Sequence, residues 1–216
     1  MANRTLALKT YGGLAALVTA FAACGGGGGT NVAVCKAGAF TACGGDPTGT
    51  WHVSGICSEN NLTTTMNQMY ASQSSACATV VKSVDLSIAG TVTYTSGTVT
   101  YNMNNSVAFS MSFSSACISG MLNMSGTMNA SLCSSLGTSL TNSGTMTGTC
   151  SLSGSNCDCT ISEKMTDSSS YPYSVSGSTI TESGGDSYDF CVSGKTMSER
   201  QDSSDLGFAV LSLTKS

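Results

Sequence analysis

The chain has 216 residues, 40% hydrophobic and 9% charged, with 25 Gly, 2 Pro, 11 Cys and a single His. That length suits one domain with appendages, and a mean hydropathy of +0.12 excludes the weakly hydrophobic, disordered class. With 8 basic against 12 acidic side chains and no basic run, tracking of a phosphate backbone is excluded too, so no nucleic-acid partner is expected.

Residues 1–23 read as a secretory signal: Arg4 and Lys9 start it, and the apolar run Gly12–Phe21 is too short to span a bilayer. Phe21-Ala22-Ala23-Cys24 and the glycines at 25–29 follow, and this stretch resembles the lipobox of bacterial lipoproteins. The resemblance implies that Cys24 is acylated and becomes the mature N-terminus. Phe21 stands where Leu is more usual, and Gly25 after the Cys implies delivery to the outer membrane. A plain cleaved signal would instead leave Cys24 as a spare thiol. Cysteine parity favours the lipid: with Cys24 set aside, ten of the 11 cysteines remain, at 35, 43, 57, 77, 117, 133, 150, 157, 159 and 191. Cys35, Cys43, Cys57, Cys77, Cys117, Cys133, Cys150, Cys157, Cys159 and Cys191 are thus candidates for five disulfides formed in an oxidising compartment.

Residues 24–45 are expected to be the acylated Cys with a Gly-rich flexible tether, and 46–216 the folded domain. Without Arg4 and Lys9 that mature chain keeps 6 of its 8 basic residues against 12 acidic ones. Anchoring therefore falls to the lipid rather than to electrostatic attraction to anionic headgroups.

From Asp46 onward the hydrophobic pattern has period two, the signature of half-buried strands. Val107, Phe109, Met111 and Phe113 alternate with small residues. Val80, Lys82, Val84, Leu86 and Ile88 are expected on one face. The pairs and triplets Val99/Tyr101/Met103, Met146/Cys150/Leu152, Tyr171/Tyr173/Val175, Tyr188/Phe190/Val192 and Phe208/Val210 continue it. The 38 Ser and 28 Thr, many of them on the alternate positions, explain how so few charges suffice. A Ser-Gly-Thr-apolar unit recurs at 96–99, 125–128 and 143–146, where Gly allows a tight hairpin. One short helix is expected over Leu62–Met69, capped within Glu59–Asn61. The fold class is all-β, with about 8–10 strands in an antiparallel up-and-down barrel or a sandwich.

Gly49-Thr50-Trp51 opens the first strand and resembles the Gly-x-Trp signature of lipocalins. Residues 188–197 and Gly207–Lys215 are similar to the last hairpin of bacterial lipocalin-like lipoproteins. The resemblance implies a barrel closed by Gly49 and Trp51 under a basic side chain, Lys215 or else Arg200. It covers both ends of the domain and leaves the middle untouched.

Catalytic chemistry is sparse. His52 neighbours Trp51 on a strand and is expected to face solvent, which leaves a His-based nucleophile without its base. Cys157-Asp158-Cys159 could clip a metal but is read as two half-cystines facing opposite ways and bridging different partners. Glu182, Asp186 and Asp189, and Glu199, Asp202 and Asp205, lack calcium-loop spacing and are read as polar turn residues. No metal or other cofactor is expected. Tyr94, Tyr101, Met103, Phe109, Met111 and Phe113 are the candidates to line a cup for a small apolar or amphipathic ligand, since Met-rich surfaces adapt to varied apolar ligands. The expected protein is a monomeric, non-catalytic lipoprotein of the outer membrane, facing either periplasm or exterior. Its rivals are a structural or adhesive domain with a filled core, and a hydrolase built on two converging carboxylates.

Overall fold

The computed structural model describes residues 30–36, 38–122, 127–141, 145–203 and 207–216. Cys24, the signal segment, Ser125, Gly126, Ser143, Gly144 and Asp205 lie outside them. The chain forms β1 (Thr30–Asn31), β2 (Ala33–Val34), β3 (Gly49–Ser58), α1 (Leu62–Gln73), β4 (Val81–Thr95), β5 (Thr98–Ser114), α2 (Ser115–Leu122) and α3 (Ala130–Thr141). Then come β6 (Met146–Ser153), β7 (Asn156–Ser176), β8 (Thr179–Glu182), β9 (Ser187–Ser193), β10 (Thr196–Ser203) and β11 (Gly207–Lys215).

The strands join in one sheet, nearly all antiparallel. β3 pairs with β11 on one side and with β4 on the other, so β3, β4, β5, β7, β8, β9, β10 and β11 pair in a closed circuit. The wall is uneven and not a clean barrel. β7 has 21 residues and β8 four. β6 pairs only with residues 156–163 of β7, and β8 only with residues 173–176. β1 and β2 add short pairings to β4 and β3, the second one parallel. These pairings lie N-terminal to Asp46, where a tether was expected. Cys35 and Cys43, expected in the tether, are bonded into the body.

β5 carries the plainest period-two pattern. Val99, Tyr101, Met103, Asn105, Val107, Phe109, Met111 and Phe113 are all buried, while the residues between them are exposed or half-buried. The hairpin from β4 turns at Gly97, whose φ of 78° belongs to the left-handed region that glycine tolerates. Gly90 is required for another reason: at φ 141° a Cβ there would run into the Asn102 carbonyl of β5.

The reading of β4 needs correction. Val81 is buried and Lys82 exposed, because the β4–β5 register shifts between Val81 and Ser83. The cause lies on another element. The Asn67 side chain of α1 donates Nδ2 to the Val81 carbonyl at 2.9 Å and accepts the Val81 N–H at 2.8 Å, clamping the strand at that point. On β11 the buried set is Ala209, Leu211 and Leu213, together with Val210, while Phe208 is half-buried. Tyr171 and Val175 on β7 and Leu152 on β6 stay exposed by 39%, 42% and 41%, so those alternations do not mark a buried face.

Helices are more abundant than the one expected. α1 starts where Asn61 Oδ1 accepts the Thr64 N–H at 3.0 Å, and runs past Met69 to Gln73. Its Leu62, Thr65, Met66 and Tyr70 are buried, and Tyr70 meets Phe113 edge-on at 6.3 Å. α2 and α3 occupy a stretch where a hairpin start was expected around Thr127-Met128. α3 buries Cys133, Gly137 and Leu140, the i, i+4, i+7 stripe of an amphipathic helix.

All ten candidate cysteines pair: Cys35–Cys57, Cys43–Cys191, Cys77–Cys117, Cys133–Cys157 and Cys150–Cys159. Cys157 and Cys159 do take different partners, but they do not face opposite ways. Residues i and i+2 of a strand share a face, and their Sγ atoms lie 3.9 Å apart.

Candidate functional site

The expected cup residues converge on the interior of the sheet. Met103 and Met111 are exposed by 2% and 1%, Phe109 and Phe113 by 2% and 1%, Tyr94 and Tyr101 by 0% and 1%. Side chains this occluded expose almost no surface to water. They pack with Trp51, Ile88, Val92, Phe190 and Leu211 in one cluster. The residues expected to line a cup belong to the buried hydrophobic cluster.

At one end of that core sits a polar group of five. Tyr94 on β4 donates its hydroxyl to Glu199 Oε1 of β10 at 2.7 Å. Tyr188 on β9 donates to Glu182 Oε1 of β8 at 2.7 Å, and Tyr101 on β5 donates to the same oxygen. Tyr188 Oη also lies 3.1 Å from Tyr94 Oη and 2.9 Å from Tyr101 Oη. Glu182 and Glu199 are exposed by only 6% and 4%, so they are interior residues rather than turn residues. Burial away from water pushes the Glu199 carboxyl up to about 7, against the pull of the Tyr94 hydrogen bond and with a smaller push from Glu182. The same burial raises the phenols of Tyr94, Tyr101 and Tyr188 well above their usual range. The alternation that buries Met197 also buries Glu199, and the one that buries Ile180 also buries Glu182. That signal was available in the sequence.

Two acidic side chains thus do converge, the condition a two-carboxylate hydrolase requires. At this place each carboxylate is buried and accepts from tyrosines, Glu182 Oε1 from Tyr101 and Tyr188 and Glu199 Oε1 from Tyr94. Elsewhere the acidic groups separate. Asp202 pairs with Arg200 at 3.0 Å, Asp189 accepts from Thr179 Oγ1 at 2.9 Å, and the Asp186 carbonyl accepts the Glu182 N–H at 2.9 Å. One further interior polar atom is Asn105 Oδ1, buried on β5 and without a hydrogen-bond partner among the described residues.

Trp51 is fully buried at the start of β3, and its Nε1 donates to the Pro47 carbonyl at 2.6 Å. Lys215 Nζ lies 5.1 Å from the Trp51 ring centroid and donates to the Thr48 carbonyl at 2.8 Å. Its stem passes so close to Gly49 that a Cβ there would strike it. Arg200 faces outward instead, 4.5 Å above the Phe208 ring. His52, next to Trp51, is exposed.

On the outer face a hollow of about 320 Å³ crosses β5, β7 and β6. Ser112, Thr149, Ser151, Thr160, Asp158 and Lys82 line it. Asp158 accepts from Ser112 Oγ at 2.6 Å, and Lys82 donates to the Thr79 carbonyl at 2.8 Å. The hollow is therefore dominated by hydroxyl groups that donate and accept, with one anion and one cation at hand.

The chain matches no protein-family model, no curated protein and no solved structure. Its function must be read from this geometry alone.

Proposed function

We propose that this chain is a lipid-anchored lipoprotein of the bacterial outer membrane whose lipocalin-like barrel is filled, so that it works through its outer surface. It is a structural or adhesive domain, non-catalytic, and acts as a monomer. The observation that carries this reading is the near-complete occlusion of Tyr94, Tyr101, Met103, Phe109, Met111 and Phe113, none exposed by more than 2%. The closed circuit of eight pairing strands and the position of Lys215 over Trp51 support the lipocalin-like part. Five disulfides fit an oxidising compartment. Among the described residues no helix is long and apolar enough to cross a membrane, which leaves the Cys24 acyl chains to hold the protein there.

The hydroxyl-lined hollow beside Asp158 and Lys82 is the part of the surface best suited to a neutral, hydroxyl-rich polymer such as an envelope polysaccharide. Two measurements test the reading. Titration with a naphthalene-sulfonate or fatty-acid probe should show no saturable site on the folded domain; one-to-one saturable binding would return the function to the interior. Co-sedimentation with envelope polysaccharide should occur and weaken in Asp158→Ala and Lys82→Ala. Equal co-sedimentation of these variants would remove the hollow from the proposal.

A further inference from the structure

Four of the ten half-cystines form one cluster. Cys133–Cys157 ties α3 to β7, and Cys150–Cys159 ties β6 to β7. Cys157 Sγ and Cys159 Sγ are 3.9 Å apart though they belong to different disulfides. The sulfurs of Cys150, Cys157 and Cys159 all lie within 4.8 Å of one another. Three members of the cluster are sealed, with Cys133, Cys157 and Cys159 exposed by 1%, 0% and 2%. Cys150 is the partly exposed member, on β6 near its free edge. Over it lies α3, where Gly137 permits the approach: a Cβ there would sit 3.3 Å from Cys150 Sγ.

We propose that Cys150 is a thiol-modification site, and that a small thiol added there transfers the covalent bond holding α3 to the sheet. Access selects the first sulfur, since exchange requires the incoming thiolate to reach it in line. The thiolate forms a bond to Cys150 Sγ as Cys150–Cys159 breaks, and Cys159 leaves as a thiolate. Cys159 Sγ already touches Cys157 Sγ. It bonds to that sulfur, Cys133–Cys157 breaks, and Cys133 leaves as a thiolate that takes a proton from water. Two disulfides exist before the exchange and two after it, the mixed disulfide on Cys150 and Cys157–Cys159. No electrons are gained or lost overall, and one external thiol is consumed. Residues two apart on a strand have Cα atoms about 6.7 Å apart, within the upper limit of about 6.8 Å for a disulfide. A disulfide also needs Cβ atoms within about 4.5 Å, so the new bridge forms only as β7 leaves its extended conformation at Asp158. α3 is left attached by packing alone, through Cys133, Gly137 and Leu140.

The proposal rests on the disulfides and is independent of lipid and ligand. Cys150→Ser makes the test without added reagent, because it leaves Cys159 permanently unpaired. Native alkylation with acid quenching and peptide mapping should find label on Cys133 in part of the molecules, with Cys157 and Cys159 joined in one peptide. Label confined to Cys159, with Cys133–Cys157 intact, overturns the proposal. A second arm uses the unaltered protein and a monothiol tripeptide at limiting concentration. Its adduct should appear on Cys150, Cys133 should become alkylatable, and the amides of α3 should lose exchange protection while those of α1 keep theirs. First adducts on any other cysteine, or an α3 whose protection is unchanged after Cys150 is modified, overturn it equally.

Discussion

Five oxygen contacts link Glu182, Glu199 and the hydroxyls of Tyr94, Tyr101 and Tyr188, and three phenols bring only three protons to them. A fourth proton, on Glu199, adds a donor to the group while Tyr94 still donates to Glu199 Oε1. Burial favours the neutral form of Glu199, which is why its carboxyl is pushed up to about 7. Its effect on stability has a definite sign. A carboxyl raised in the folded state stabilises fully below its unfolded value, near 4.5, and loses that contribution as pH rises through about 7. The loss is about 3 kcal/mol at most, at roughly 1.4 kcal/mol per pKa unit. Urea titrations at several pH values should show the wild type weakening over this window relative to Glu199→Gln, which keeps an acceptor for Tyr94 and cannot ionise. Parallel stability curves for the two proteins would mean that Glu199 titrates normally. Trp51 makes the other residue-scale prediction. Trp51→Ala should cost about 3–5 kcal/mol, whereas Lys215→Ala should cost only about 0.5–1 kcal/mol, the range for an exposed cation over a ring. Thermal melts of the two variants check the order.

At the scale of elements, the disulfides divide the work by the length of chain they close. Cys43–Cys191 spans 148 residues and Cys150–Cys159 spans nine. Loop-closure entropy alone assigns about 5 kcal/mol to the first and about 2.6 kcal/mol to the second. Replacing both cysteines of each pair by Ser should therefore lower the denaturation midpoint much more for Cys43/Cys191. Equal losses would place the stabilisation in local packing instead. β5 was legible because its 17 residues alternate without a break, apolar inward except at Asn105 and small or polar outward. The start of β4 was not, because its shift is imposed by Asn67, which lies 14 residues upstream on α1. α3 was overlooked although Cys133, Gly137 and Leu140 keep helical spacing; its Ser-rich remainder carries no charge at either end to mark the termini. Glu182 and Glu199 were assigned to turns by their charge, when the period-two register of their own strands places them inside.

For the whole molecule, the closed circuit of strands removes most of the free edges that an open sheet would expose to self-association. That would suit the membrane-surface attachment proposed above. The anchor is testable apart from the fold. Cys24→Ser should move the protein from the membrane fraction into the soluble one, since diacylation together with an amide-linked chain exceeds what stable attachment needs. Retention of the variant in the membrane fraction would show that something other than the lipid holds it.

Composition, cysteine parity and period-two alternation were enough to establish a disulfide-rich, mostly β chain, because those signals depend on which residues are present and on their immediate neighbours. Tertiary structure alone decided the pairing of the ten cysteines, the helices laid on the sheet, and how deeply the Met and aromatic face is buried. Those outcomes depend on distances between segments far apart in the chain, 148 residues for Cys43 and Cys191, and no local pattern encodes where such segments meet.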